Sequence, residues 1–91
     1  MPELALASFA GRIGEVFRVT TPEVELTLSE VEPLGDIAAP GSSRAPFSII
    51  FTGPVGSNLS QQIYELEHEQ LGSLELFLVP IAPARYQAVF A

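Results

Sequence analysis

The chain has no cysteine, no tryptophan and no lysine, and only one histidine (His68) and one aspartate (Asp36) in 91 residues. Without cysteine there can be no disulfide, thiolate zinc site or cysteine nucleophile. A single histidine excludes two-histidine metal centres. Four arginines, at positions 12, 18, 44 and 85, face eleven acids, a net charge of −7. Such a surface repels phosphate backbones, which argues against nucleic-acid partners. No apolar run approaches bilayer-spanning length, so membrane insertion is not expected. Met1-Pro2-Glu3 lacks the basic start of a signal peptide. The expected location is the cytoplasm before assembly, or an assembled particle.

Catalytic arrangements are equally scarce. A Ser-His-Asp triad would have to recruit His68 and Asp36, and no G-x-S-x-G accompanies them. The "TGPVGSN" stretch lacks the lysine and following Ser/Thr of a phosphate loop and reads as a turn. "GRIG" matches the glycine pair of a nucleic-acid clamp loop, without the basic charge such a loop needs.

What the chain does have is apolar residues, at 47%, while charged residues are only 16%, against the usual quarter. The length suits one domain over residues 1–91. A chain of this mass buries roughly 60–65% of the surface it exposes when unfolded, enough for one modest core. The surplus of apolar side chains points to surface covered by a partner or by further copies of the chain.

"PELALASFAGRIG" spaces Leu6, Phe9 and Ile13 helically, with Pro2 at the start and Gly11 at the end, which predicts a short helix over residues 3–10. From Gly14 the period becomes two. Phe17 and Val19 oppose Val16 and Arg18; then Val24, Leu26 and Leu28 oppose Glu23, Glu25 and Thr27. Val31 falls out of phase, which predicts a bulge near Ser29-Glu30. Residues 33–46 read as a long loop. "FSIIFTGP" is a strand with Phe47, Ile49 and Phe51 inward. Two further strands follow around a turn at Gly72, then a turn bracketed by Pro80 and Pro83, then "RYQAVFA" with Tyr86, Ala88 and Phe90 alternating. The sum is a mainly β chain, a small antiparallel barrel or sandwich of about six strands with one short N-terminal helix.

"YELEHEQLGSLELF" gathers Glu65, Glu67, Glu69 and Glu75 around His68. On alternation, Glu65, Glu67 and Glu69 share a face with Ile63, and His68 lies on the opposite face with Tyr64 and Leu66. Groups on opposite faces of a strand cannot converge on one ion. These acids read as a solvated face that discourages edge-to-edge aggregation. His68 reads as a rim histidine with its polar tip in water.

Four stretches carry a resemblance. "FAGRIGEVFRV" fits F-x-x-x-x-G-x-x-F-x-V, and "FSIIFTGP" fits F-S-[IL]-[IL]-F-x-G-P. "YELEHEQLGSLELFLVP" fits Y-x-[LM]-E-H-x-x-L-G-x-[LM]-x-[LI]-F-[LI]-[VT]-P, and "RYQAVF" fits R-Y-[EQ]-A-x-F. Over nearly its whole length the chain resembles a family of small uncharacterised bacterial proteins that accompany phage-tail-like proteins, including collar and tail-fibre components. The resemblance brings no catalytic residue, only an assembly role, and implies that Glu67-His68 fixes the hairpin tip or meets a partner.

The function expected is therefore a non-enzymatic structural or protein-interaction module, self-assembling or bound to a protein partner. No catalytic residue, metal or cofactor is assigned. The candidate surface is Ile63, Glu65, Glu67, His68, Phe77 and Val79, and the candidate contact loop contains Asp36, Ile37 and Arg44. The alternative is a barrel that binds an apolar small molecule among Phe47, Phe51, Tyr64, Tyr86 and Phe90, against the simpler reading that these fill the core. A hydrolase using the hairpin glutamates is a third possibility, for which so small a chain offers little room.

Overall fold

A computed structural model describes residues 6–34 and 46–90. Helix α1 (Leu6–Ala10) precedes β1 (Val16–Val19), β2 (Val24–Pro33), β3 (Phe47–Thr52), β4 (Gln62–His68), β5 (Gly72–Ala82) and β6 (Arg85–Phe90). The strands close into an antiparallel barrel in the order β1-β2-β3-β6-β5-β4. Of the two architectures expected, the barrel is the one formed.

Alternation places the core. Phe17 and Val19, Leu26 and Leu28, Phe47, Ile49 and Phe51, Tyr64 and Leu66, Leu74, Leu76 and Leu78, and Tyr86, Ala88 and Phe90 are all buried. The β2 bulge falls where Val31 breaks phase. Leu28 pairs with Phe51 and Glu30 with Ile50, so Ser29 is the extra residue, and its hydroxyl meets Thr52 Oγ1 at 2.6 Å. The ladder then continues to Pro33, the expected loop start, paired with Phe47, and the Leu34 N–H donates to the Pro46 carbonyl at 2.9 Å; residues 35–45 of that loop lie outside the described residues.

One expected turn is misplaced. β5 runs through Pro80 to Ala82, and the turn is Pro83-Ala84, with Ala84 at φ 60°. Pro80 sits where the β5–β6 register shifts, before Ala82 pairs with Arg85. A missing backbone donor is tolerated at such an irregularity.

The two ends of the barrel are closed differently. At one, α1 inserts Phe9, whose ring centroid lies 6.1 Å from Phe17, 5.9 Å from Phe47 and 5.5 Å from Phe90. A five-residue helix has no stability of its own, so this packing holds it. At the other end, residues 53–61 insert Leu59. There the Tyr86 hydroxyl accepts the Leu59 N–H at 3.1 Å, and Tyr64 donates to the Ser60 carbonyl at 2.8 Å. The inward rings touch one another, Phe47 stacking on Phe90 at 4.5 Å and Phe17 meeting Phe51 edge-on at 5.3 Å.

Candidate functional site

The β4–β5 hairpin pairs Gln62 with Leu78 through His68 with Gly72. Gly72, at φ 76°, takes the left-handed conformation that starts the return strand. Glu65 and Glu67 face solvent and Tyr64, Leu66 and His68 face the interior, as the alternation requires.

His68 is not the rim residue expected. It is 7% exposed and its ring lies 4.4 Å from that of Phe17. Its Nδ1 accepts two backbone N–H groups, from Gln70 and Leu71, each at 3.0 Å. The ring proton is thereby assigned to Nε2, which donates to Glu15 Oε1 at 2.6 Å. The tip of a hairpin would otherwise leave those two donors to water; the imidazole captures them and covers itself with Phe17. His68 thus ties down the two amides of the hairpin tip, while Glu67, named beside it in the resemblance, accepts from Arg18 of β1 instead.

Glu15 joins this cluster to α1. The His68 hydrogen bond holds its carboxyl below the ordinary carboxylate range, helped by Arg12, and outweighs the opposing effect of desolvation. Arg12 donates to Glu15 at 3.4 Å, to the Ser8 carbonyl at 3.0 Å and to Gln70. The role of Glu15 and Arg12 was not read from the sequence. His68 and Glu15 are 53 residues apart, and no periodicity links positions at that separation.

The outer wall divides by charge. Arg18 donates to Glu67 at 2.5 Å, and on its other side it pairs in register with Glu25. The Glu67 hydrogen bond, with its charge, raises the already high Arg18 pKa. Arg85 reaches Glu30 at 2.6 Å. Across β4 and β5, by contrast, Glu65 stands directly opposite Glu75. Glu65 accepts a hydrogen bond from Thr20 Oγ1 at 3.3 Å, and among the described residues no cation pairs with either carboxylate.

Beside these acids lies exposed apolar surface. Ile63 (64% exposed) pairs directly with Phe77 (49%). Val79, half-buried, is the next outward residue of β5 and pairs with Gln87, which pairs in turn with Ile50 of β3. Val89, 59% exposed, follows Gln87 on the outer side of β6. Ile63, Phe77 and Val79 are thus brought together as an outward group, and Val89 and Ile50 extend it. The alternation of "RYQAVF" already turned Val89 outward; only the strand order puts it beside the hairpin. Of the remaining candidates, Glu65 and Glu67 border this face, His68 points away from it, and Asp36, Ile37 and Arg44 lie outside the described residues.

Two depressions flank the hairpin tip, one of about 560 Å³ bordered by Arg18, Glu25 and Glu67, the other of about 370 Å³ bordered by Glu15, Val16 and Gln70. Both are open to solvent, and His68 reaches both. Among the described residues no three His, Asp or Glu side chains form a metal-ligand group, and no helix is long and apolar enough to cross a membrane.

No curated protein and no solved structure matches the chain. Residues 4–90 match the model of a family described as a domain of unknown function (DUF6916). With almost its full length matched, the chain belongs to that family.

Proposed function

We propose that the chain is a non-enzymatic protein-interaction module that docks through the outer face of the β4–β5 hairpin. The observation that carries this reading is the direct cross-strand pair of Ile63 and Phe77, both well exposed on a regular, fully paired hairpin. Side chains of this size exposed side by side, continued by Val79 and Val89, make a contiguous patch of the kind that marks contact surfaces. A face built on strands is also rigid, so little ordering entropy opposes docking. The ring contacts of Phe9, Phe17, Phe47, Phe51 and Phe90 favour this reading over a ligand-filled barrel, because those side chains occupy the interior themselves. The resemblance to proteins that accompany phage-tail-like collar and fibre components makes a subunit of such a particle the natural partner.

Affinity capture from the host with the native chain and with a Phe77→Ser/Ile63→Ser variant tests the proposal. Proteins retained by the native chain and lost by the variant, at nearly equal melting temperatures, support it. An identical set of retained proteins contradicts it.

A further inference from the structure

The charges around the apolar face say what kind of partner fits it. Glu65 and Glu75 oppose each other across β4 and β5 with no compensating cation among the described residues. Like charges directly opposite on one sheet face are unfavourable, so this pair is relieved by any cation brought to it. The chain itself is badly placed to bring one. It has four arginines and no lysine. Arg12 is engaged by Glu15 and Gln70, Arg18 by Glu67, and Arg85 by Glu30, while Arg44 lies outside the described residues. A second copy docked on this face through a two-fold axis would set the same patch against itself, acids included, between molecules each carrying −7.

Resting on the interaction-module reading, we infer that the face formed by Ile63, Phe77, Val79 and Val89 receives a different protein, one presenting an apolar strip rimmed by lysine or arginine, and not a second copy of this chain. The apolar row supplies the contact area. The Glu65–Glu75 pair accepts the rim cations, selects against acidic partners and accelerates encounter.

The test uses the full chain, isotope-labelled, and three designed β-hairpin peptides. One has a valine/tryptophan face rimmed with lysines, one has the same face rimmed with glutamates, and one keeps the lysines but has a serine face. The lysine-rimmed apolar peptide is expected to shift the resonances of Ile63, Phe77, Val79 and Val89 and to bind at least 10-fold more tightly than the other two. The Glu65→Gln/Glu75→Gln chain is expected to lose about 3- to 10-fold of that affinity, the range for two exposed charge pairs. A Glu23→Gln/Glu25→Gln chain, altered on the β1–β2 wall, is expected to retain it. Equal binding of the glutamate-rimmed peptide overturns the inference yet leaves the docking face intact. Shifts centred on Glu23 and Glu25, or no binding of any peptide, overturn it as well. Light scattering that finds a dimer whose formation shifts these same four residues overturns it in favour of self-assembly. The Phe77→Ser/Ile63→Ser capture separates the two failures: if capture depends on Phe77 and the peptides do not discriminate charge, only the partner chemistry is wrong.

Discussion

The two faces of the β4–β5 hairpin are built on opposite terms. Inward, Tyr64, Leu66, Leu74, Leu76 and Leu78 are buried, the Tyr64 hydroxyl donates to the Ser60 carbonyl, and His68 has a partner for each nitrogen. Outward, Ile63 and Phe77 remain exposed and Glu65 faces Glu75. Glu67, at the tip end of this outer face, is matched by Arg18 of β1, and Glu30 of β2 by Arg85, so this chain can place cations opposite its glutamates, yet Glu65 and Glu75 receive none among the described residues. A hairpin whose inner face carries the buried core leaves the Ile63 and Phe77 side chains on its outer face free to be shaped by something else.

That contrast makes the inner face the sensitive one for stability. Leu66→Ala, which empties a fully buried site on β4, is expected to cost about 2–5 kcal/mol in the denaturation midpoint. A loss under about 1 kcal/mol in the same experiment would mean the hairpin is not integral to the core.

His68→Ala is expected to cost about 1–3 kcal/mol, because the Gln70 and Leu71 amides lose their acceptor. His68→Asn, which places an oxygen near the lost Nδ1, should recover part of it. If the two variants melt alike, the ring matters only as packing against Phe17.

Acid acts on the same cluster. The folded pKa of Glu15 lies below its unfolded value. Its contribution is therefore present in full above the ordinary carboxylate range and is lost as pH falls through the lowered folded value. Comparing Glu15→Gln with the native chain across that range should show less acid destabilisation in the variant. Superimposable pH profiles would exclude Glu15 as a source of acid sensitivity.

The outer face should respond in the opposite sense. Glu75→Arg replaces a repulsive cross-strand pair with an attractive one, and is expected to stabilise by about 0.2–1 kcal/mol. The same change should weaken partner binding. Stabilisation without weakened binding would detach the carboxylate pair from docking.

Much of this hairpin was legible before its structure. Strict alternation separates Ile63 and Glu65 from Tyr64 and Leu66, and the same period of two places Phe77 outward and Leu74 and Leu76 inward on the return strand. The phase break at Val31 likewise located the β2 bulge, through the same rule. Partnership across the barrel was not legible. That β6 lies between β3 and β5, and so carries Val89 to the side of the hairpin, is a matter of pairing order, which alternation does not encode. His68 was assigned to the inward side, but its position next to the turn argued for an exposed tip. What covers it is Phe17 of β1 and Glu15 just before that strand, some fifty residues earlier. The pair Pro80 and Pro83 suggests a turn between them, but Pro80 stays in β5, where the register shift beside it tolerates a residue with no backbone donor.

The most direct test is methyl cross-saturation by NMR in the complex of the labelled chain with a protein captured by it. The account expects transfer to the methyls of Ile63, Val79 and Val89, and none to those of Leu66, Leu74 and Leu76. Transfer centred instead on Val16 and Val24 of the β1–β2 wall, with Ile63 and Val79 silent, would contradict it.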